Sequence, residues 1–350
     1  MSDPRRVLFI QTAFIGDAVL MSSAIRSWKQ KHPETICEVV VRKGNESLYM
    51  THPEVDEVWV WDKSKKGRNR RLVALGWQLR KRKYDVVFNI HRHVSSGLLT
   101  WLTGAPQRVG YASNPLAWAF THRVSHNIGD GRHEVERLGD LLNACDGKRV
   151  HDDWLIPTLY PSAHDQQLVE NIIVDSGWAG SSYVVLAPSS QWHTKQWPEE
   201  NWRLLAAALD RAQVPLALIG APTDLDLLNR CQSSTPSARV LANLTLLQAY
   251  ELVRRAGALV THDSAPLHWA SGSNVPTVAL FCSTVPAFGF GPLADARCVI
   301  ETEKTLNCRP CGLHGHAVCP QGHFACADIP VQRVQAAVLS LLGSQQPQSS

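Results

Sequence analysis

The chain has 350 residues, longer than one hydrophobic core usually supports, so its length predicts two domains. Its 44% apolar and 19% charged residues are ordinary for a globular protein, and no apolar run reaches the ~18 residues of a membrane span. A net charge of +4 is too small to indicate nucleic-acid binding by itself, and the first residues lack the apolar core of a secretion signal, which predicts a cytoplasmic protein.

The first half alternates apolar strands with helical segments, as parallel α/β domains do. It opens with "VLFIQTAFIGDAVL", which predicts a strand, a turn and the start of an amphipathic helix. The turn lacks the glycine pattern of a phosphate-binding loop and carries a carboxylate, Asp17, beside Gly16. A carboxylate repels phosphate. We therefore expect Asp17 to act as a base rather than to take part in phosphate binding. Strands are predicted at 6–11, 37–41, 57–61 and 85–90.

Basic residues cluster at 62–72 ("DKSKKGRNRRL") and 79–85 ("LRKRKYD"). A solvated loop and a helix end would account for them. A surface that binds anionic lipid head groups or a phosphorylated acceptor would also account for these basic clusters. Both interpretations stay open at this point.

A polar, proline-containing stretch near 150–165 predicts a linker, so we expect domains at 1–160 and 161–343 and a disordered tail at 344–350. In the second half, strands are predicted at 183–187, 216–219, 258–261 and 277–281, with helices at 199–211, 246–255 and 266–271. The expected fold class is α/β, two doubly wound domains facing a cleft. Ligands of such sheets bind beyond the carboxyl ends of the strands.

The stretch "ALVTHDSAPLHWA" (258–270) is the most informative part of the second half. A strand ends here and a helix begins near Pro266, so Asp263, Ser264 and Ala265 present backbone N–H groups at a helix N-terminus. His268 lies in the first turn. Simple helix capping by Asp263 or Ser264 would explain part of this pattern. The added histidine favours ligand binding.

A second loop, in "LAPSSQWHTKQWPEENW" (186–202), also follows a predicted strand. It carries Ser189, Ser190 and Lys195, and a lysine held there would neutralise a diphosphate. An ordinary exposed lysine is the alternative. Together the two loops predict a phosphate-bearing ligand in the second domain, which leaves the first turn free to carry a base.

Four motifs in order, "GDAVL", "KQWPEENW", "HDSAPLHWA" and "FCSTVPAFGFGP", resemble the bacterial lipopolysaccharide heptosyltransferases, and most of all the heptosyltransferase II type. The resemblance extends over roughly 6–334. It implies a GT-B fold, with two Rossmann-like domains facing a central cleft. The first domain would bind the acceptor and the second the ADP-sugar.

The resemblance also implies site residues. The family's catalytic aspartate falls on Asp17 and its phosphate-binding lysine on Lys195, and its Asp-[Ser/Thr]-Gly-x-x-His motif falls on Asp263, Ser264 and His268. The implied reaction is an inverting transfer of heptose from ADP-heptose, with no cofactor required for catalysis. Asp17 would deprotonate the acceptor hydroxyl while preorganised positive charge stabilises the leaving ADP.

Ala265 stands where the family motif has glycine, and a position that requires positive φ or close approach of a phosphate would be disturbed by its Cβ. Ser189 and Ser190 are further candidates for phosphate contact. On the acceptor side, Arg92, His133 and Glu134 are candidates, with surface or interdomain packing as the alternative for each.

The implied partners are ADP-heptose and a lipid A–Kdo inner-core acceptor, with no nucleic acid. Because that acceptor is amphiphilic and the chain has basic clusters, we expect peripheral contact with the inner membrane at its cytoplasmic face.

Four cysteines follow in "CRPCGLHGHAVCPQGHFAC", within segment 308–326: Cys308, Cys311, Cys319 and Cys326. In a cytosolic protein this composition favours a metal over disulfides, and a four-thiolate zinc site would be structural. Four unligated thiols are the alternative. Because some relatives lack these cysteines, we expect catalysis not to depend on them.

Other functions compatible with the sequence are a GT-B transferase with another nucleotide sugar or acceptor, and a non-catalytic nucleotide-binding relative. A dehydrogenase is disfavoured, because the glycine fingerprint and its downstream acid are missing.

Overall fold

The computed structural model describes residues 4–64, 66–147 and 155–344. The chain divides into two compact units, Met1–Tyr160 and Pro161–Ser350. Part of the predicted linker (150–154) and nearly all of the predicted tail (345–350) lie outside the described residues. No helix in the described ranges is long and apolar enough to cross a bilayer.

The first unit is a six-stranded parallel sheet in the order β3-β2-β1-β4-β5-β6. Its strands are β1 (Arg6–Gln11), β2 (Ile36–Arg42), β3 (Glu57–Trp61), β4 (Val86–Asn89), β5 (Gln107–Tyr111) and β6 (His122–Val124). Its helices are α1 (Ile15–Lys31), α2 (Arg68–Lys81), α3 (Val94–Thr103) and α4 (Glu134–Asp146). The four predicted strands correspond to β1–β4.

The second unit is also a six-stranded parallel sheet, in the order β12-β11-β10-β7-β8-β9. Its strands are β7 (Val184–Ala187), β8 (Leu216–Ile219), β9 (Arg239–Leu241), β10 (Ala258–His262), β11 (Thr277–Phe281) and β12 (Arg297–Glu301). Its helices are α5 (Ala163–Asp175), α6 (Glu199–Arg211), α7 (Leu225–Gln232), α8 (Leu246–Arg254), α9 (Ala265–Ser273) and α10 (Val331–Gly343).

Central strands of both sheets are buried on both faces, which explains why they read as continuous apolar runs in the sequence. All residues of β4, β7, β10 and β11 are buried. The predictions missed β5, β6, β9 and β12, whose polar or exposed residues break the apolar pattern. Both sheets follow the strand order of a dinucleotide-binding domain, so each has a switch point where successive crossovers leave in opposite directions.

Candidate active site

The switch point of the first unit lies between β1 and β4. The loops that follow these strands meet there, since Thr12 Oγ1 lies 2.9 Å from His91 Nδ1. Two residues far apart in the sequence are thus brought to the edge where ligands of such sheets bind.

Asp17 lies at this edge as the third residue of α1, and it is half-buried. A carboxylate in the first turn is stabilised as an anion by the helix dipole. The adjoining turn is held by cations: Lys63 Nζ donates to the Thr12 carbonyl at 2.7 Å, and the Arg42 guanidinium lies 5.3 Å from the centre of the Phe14 ring. The predicted base therefore lies at the predicted edge, and two cations contact the turn that precedes it.

His91 is neutral at this edge. Burial lowers its pKa to about 3, and the positive charges of Lys63, His93 and Arg92 add to the effect. The sequence analysis did not select His91, although it directly precedes Arg92, which was selected. A neutral imidazole here can exchange a hydrogen bond with Thr12 without adding positive charge to this edge of the sheet.

The three acceptor-side candidates lie at the same edge of the sheet, and two of them have structural contacts. Arg92 is half-buried in the loop after β4. His133 is the N-cap of α4, and its Nδ1 accepts the N–H two residues on at 3.2 Å. The buried Glu134 carboxylate lies 3.0 Å from His126 Nε2 and accepts from Arg137 at 3.0 Å. These contacts account for His133 and Glu134 through packing, and a role in acceptor binding stays a prediction.

The switch point of the second unit lies between β7 and β10. Lys195 ends the short turn His193–Lys195 after β7, and its Nζ donates to Asp263 Oδ2 at 2.6 Å. Thr284, after β11, donates to the same carboxylate oxygen at 2.8 Å. Two residues singled out in separate motifs are therefore in direct contact, and Thr284 is a third member that the sequence analysis missed.

The start of α9 lies beside this ion pair. Ser264 is the N-cap residue, but in the described structure its side chain makes no capping hydrogen bond, and its Oγ lies 3.2 Å from Thr261 Oγ1 instead. The capping interpretation of Ser264 is therefore wrong. The helix N-terminus keeps its favourable field for an anion.

Ala265 begins α9 in helical conformation, so this position does not require the positive φ that would favour glycine. Its Cβ can matter only through close approach of a ligand. His268 is one turn further along α9 and is buried, with its ring centre 6.3 Å from that of Phe290. Ser189 and Ser190 are half-buried after β7, and the Ser190 carbonyl accepts from Gln196 Nε2 at 2.8 Å.

His262, the last residue of β10, supports the Lys195 turn and was also missed. Its Nε2 accepts the Trp197 N–H at 2.7 Å, and its ring packs edge-on against Trp202. Burial lowers its pKa to about 3, so the imidazole remains a neutral acceptor. A histidine at the end of an otherwise apolar strand was the available signal.

The four predicted metal ligands border one small cavity of about 10 Å³, together with Arg309. Cys308 Sγ lies 3.8 Å from His323 Nε2. Within the described residues, however, no group of three or more His, Cys, Asp or Glu side chains is arranged to hold a metal ion. The four cysteines therefore line one cavity, and a bound metal stays a prediction.

The cysteine-rich segment is fastened to the Lys195 turn. His316 N donates to Thr194 Oγ1 at 2.7 Å, and Cys311 N donates to the Ser283 carbonyl at 2.8 Å. Gly315, with φ of +77°, lies so close that a Cβ there would be 2.9 Å from Thr194 Oγ1. The segment therefore packs against two loops that carry Lys195 and Thr284.

Known proteins share this sequence pattern and this architecture. A lipopolysaccharide heptosyltransferase 1 of Pseudomonas aeruginosa is 27% identical over 321 residues, which cover 87% of this chain and 86% of the relative. Among solved structures, a family 9 glycosyl transferase of Veillonella parvula superposes with a TM-score of 0.81 at 20% identity, covering 98% of both chains. The E. coli ADP-heptose LPS heptosyltransferase II superposes with a TM-score of 0.79 at 23% identity, covering 98% of this chain and 100% of that one.

These likenesses confirm the expected fold class, two Rossmann-like units of the GT-B type. The model of glycosyltransferase family 9 (heptosyltransferase) matches residues 72–316, well over half of the chain, and this range contains the Lys195 turn, Asp263 and the start of α9. The chain therefore belongs to glycosyltransferase family 9, the heptosyltransferase family.

Proposed function

We propose that this chain transfers the heptose of ADP-heptose to the inner core of lipopolysaccharide, with inversion at the anomeric carbon. The observation that carries the proposal is the contact between Lys195 and Asp263 at the switch point of the second unit, beside the N-terminus of α9. Family membership and the names of the relatives supply the donor and acceptor classes.

On the donor side, the diphosphate of ADP-heptose would lie between Lys195 and the first N–H groups of α9. Asp263 is itself anionic, so its part is to hold Lys195 and to accept from sugar hydroxyls. As the bond between the anomeric carbon and the diphosphate oxygen breaks, negative charge grows on the leaving ADP. Lys195 and the helix dipole stabilise this charge. Removing one such group commonly costs about 100-fold in rate.

On the acceptor side, Asp17 would take the proton of the attacking hydroxyl. It lies in the first turn of α1, where the helix dipole favours a negatively charged side chain. General-base assistance of this kind contributes about 100- to 10,000-fold. Arg92 and Lys63, at the same edge of the sheet, would attract the anionic Kdo sugars of the acceptor.

The motifs favour the second heptose addition, as in heptosyltransferase II. The acceptor would then be a Kdo–lipid A core that already carries one heptose. With that acceptor, the proposed enzyme would work in the cytoplasm, in peripheral contact with the inner membrane. The P. aeruginosa relative is a type 1 enzyme at 27% identity, which makes the choice of acceptor an experimental question.

No cofactor is needed for this chemistry. For the cysteine-rich segment we propose a structural zinc held by the four thiols, because they border one cavity of about 10 Å³, close to the volume of a single bound atom. Rotation of the side chains would have to bring the sulfurs to coordinating distance. Elemental analysis of reduced protein should find about one zinc per chain. Metal-free protein with unchanged stability would refute the zinc.

The test of the function is a mass-spectrometric transfer assay with ADP-heptose and two acceptors, Kdo–lipid A with one heptose and without it. We expect heptose on the first acceptor only. Asp17→Asn should lower kcat by at least about 100-fold. Asp226→Asn is the matched control, because Asp226 is also an acidic residue in the first turn of a helix, and it should leave the rate unchanged.

Heptose transfer to Kdo–lipid A that carries no heptose would assign the enzyme to the first heptose addition. If the enzyme prefers a UDP- or GDP-sugar over ADP-heptose in competition, the proposed donor is wrong. Binding of ADP-heptose without transfer to either acceptor would contradict the proposed reaction.

A further inference from the structure

The charge of this chain is concentrated in one stretch. Residues 63–84 contain ten lysines and arginines and no acidic residue. The rest of the chain has 25 basic and 31 acidic residues, so it is net negative. Most of this stretch forms α2, which contains five basic residues. A basic helix on an otherwise acidic protein indicates an anionic partner for that one surface.

The outer face of α2 combines this charge with an exposed tryptophan. The buried residues Leu72, Leu75 and Leu79 anchor the helix in the core. On the other side, Trp77 is 56% exposed, and the Arg80 guanidinium lies 5.7 Å from its ring centre. The fold therefore gains little from Trp77, whose large apolar ring faces water.

The neighbouring helix α3 extends the same surface. Trp101 on α3 is 48% exposed, and it lines a shallow groove of about 310 Å³ together with Trp77, Arg80 and Arg108. Arg108 Nε also donates to the carbonyl of Ala119, next to Trp118, which is 64% exposed. In the described part of the chain, Trp77, Trp101 and Trp118 are the tryptophans that rank as exposed large apolar side chains, and all three belong to these adjoining elements.

Arg70 is also exposed and lies on α2 two turns before Trp77, so it extends this face. We propose that this tryptophan–arginine face, formed by Arg70, Trp77, Arg80, Trp101 and Arg108, docks on an anionic phospholipid surface. Tryptophan prefers the boundary between head groups and acyl chains, and arginine pairs with lipid phosphates. Each basic residue near such a surface adds to the electrostatic attraction. The charge and tryptophan evidence is independent of catalysis. Only the biological reason for docking, access to a lipid-linked acceptor, rests on the proposed function.

The test is co-sedimentation of the full chain with phosphatidylcholine vesicles, with and without phosphatidylglycerol, at low and high salt. We expect binding only to the anionic vesicles, weakened by salt. Trp77→Ala with Trp101→Ala, and separately Arg70→Gln with Arg80→Gln, should each lower the apparent affinity at least about tenfold. The control is Leu225→Ala with Arg239→Gln, which removes an exposed leucine and an exposed arginine from the second unit and should bind as the parent protein does.

The variants are also assayed with a delipidated, water-soluble acceptor, on which they should match the parent protein. That readout separates the two proposals, because failure of heptose transfer leaves vesicle binding intact, and failure of vesicle binding leaves transfer intact. Equal binding by the tryptophan variants, or no binding of the parent to anionic vesicles, would overturn the docking surface. Binding of duplex DNA through the same residues in preference to vesicles would replace the lipid with nucleic acid as the partner.

Discussion

Thr194 and His316 exchange two hydrogen bonds: His316 N donates to Thr194 Oγ1 at 2.7 Å, and Thr194 N donates to the His316 carbonyl at 3.0 Å. Thr194 is buried and directly precedes Lys195. The cysteine-rich segment thus holds the turn that carries the proposed phosphate-binding lysine. This contact leads to two predictions that test whether catalysis is independent of the segment, as the sequence analysis expected.

Thr194→Val should raise KM for ADP-heptose several-fold with a smaller change in kcat. Valine keeps the shape of threonine but leaves the His316 N–H without its acceptor, which costs about 1–3 kcal/mol. Initial-rate kinetics check this. Thr194→Ser keeps the hydroxyl and should behave nearly as the parent protein does. Equal KM values for all three proteins would show that the contact does not position Lys195.

Gly315→Ala should also weaken donor use. Its Cβ would lie 2.9 Å from Thr194 Oγ1, 3.1 Å from Ser283 Oγ and 3.3 Å from Lys195 Cγ, so the turn must move. Gly312→Ala is the matched control: its φ of +72° imposes similar backbone strain, but its Cβ would be 3.6 Å from the nearest atom. Isothermal titration with ADP should show weaker binding for the Gly315 variant alone. An equal loss of ADP affinity in both variants would show that backbone strain at the substituted glycine causes the effect.

Thr284→Val should lower kcat/KM by about tenfold, the cost of one charge-assisted hydrogen bond. Asp263 Oδ2 would keep Lys195 as a partner but lose the hydroxyl that fixes its orientation. Thr284→Ser should restore most of the activity. If valine and serine variants both match the parent in steady-state kinetics, Thr284 has no positioning role.

Arg309→Lys should destabilise the second unit by about 1–3 kcal/mol. The Arg309 guanidinium donates to the carbonyls of Cys282 at 2.6 Å, Thr284 at 2.8 Å and Phe281 at 3.1 Å. A lysine ammonium lacks the planar fork and cannot reach all three. The urea midpoint measures the loss, and an unchanged midpoint would contradict it.

Stability should fall in mild acid, because His262 is held neutral in the folded protein. Its pKa is about 3 there, against an ordinary value of 6.5, so the unfolded chain binds the extra proton as pH drops. The contribution of His262 is complete above pH 6.5 and is lost towards pH 3, at about 1.4 kcal/mol per pH unit. His262→Gln keeps an acceptor for the Trp197 N–H without a titrating group. Urea unfolding at pH 7 and pH 5 should show a smaller loss for this variant, and an equal loss would refute the assignment.

The sequence by itself determined the local chemistry. Apolar runs predicted the buried central strands, and the order of turns and motifs placed Asp17, Lys195 and Asp263 after strands. These inferences work because burial of a parallel strand and the start of a helix leave a pattern within a few residues. Edge strands such as β6 and β9 were missed, because their mixed exposure leaves no such pattern.

Only the tertiary structure decided which of these residues meet. Lys195 and Asp263 are 68 residues apart and Thr12 and His91 are 79 apart, yet each pair is in contact because β7 pairs with β10 and β1 with β4. The role of Gly315 beside Lys195 likewise depends on how a distant segment packs. Strand order and loop packing arise from long-range contacts whose partners no short window of sequence records.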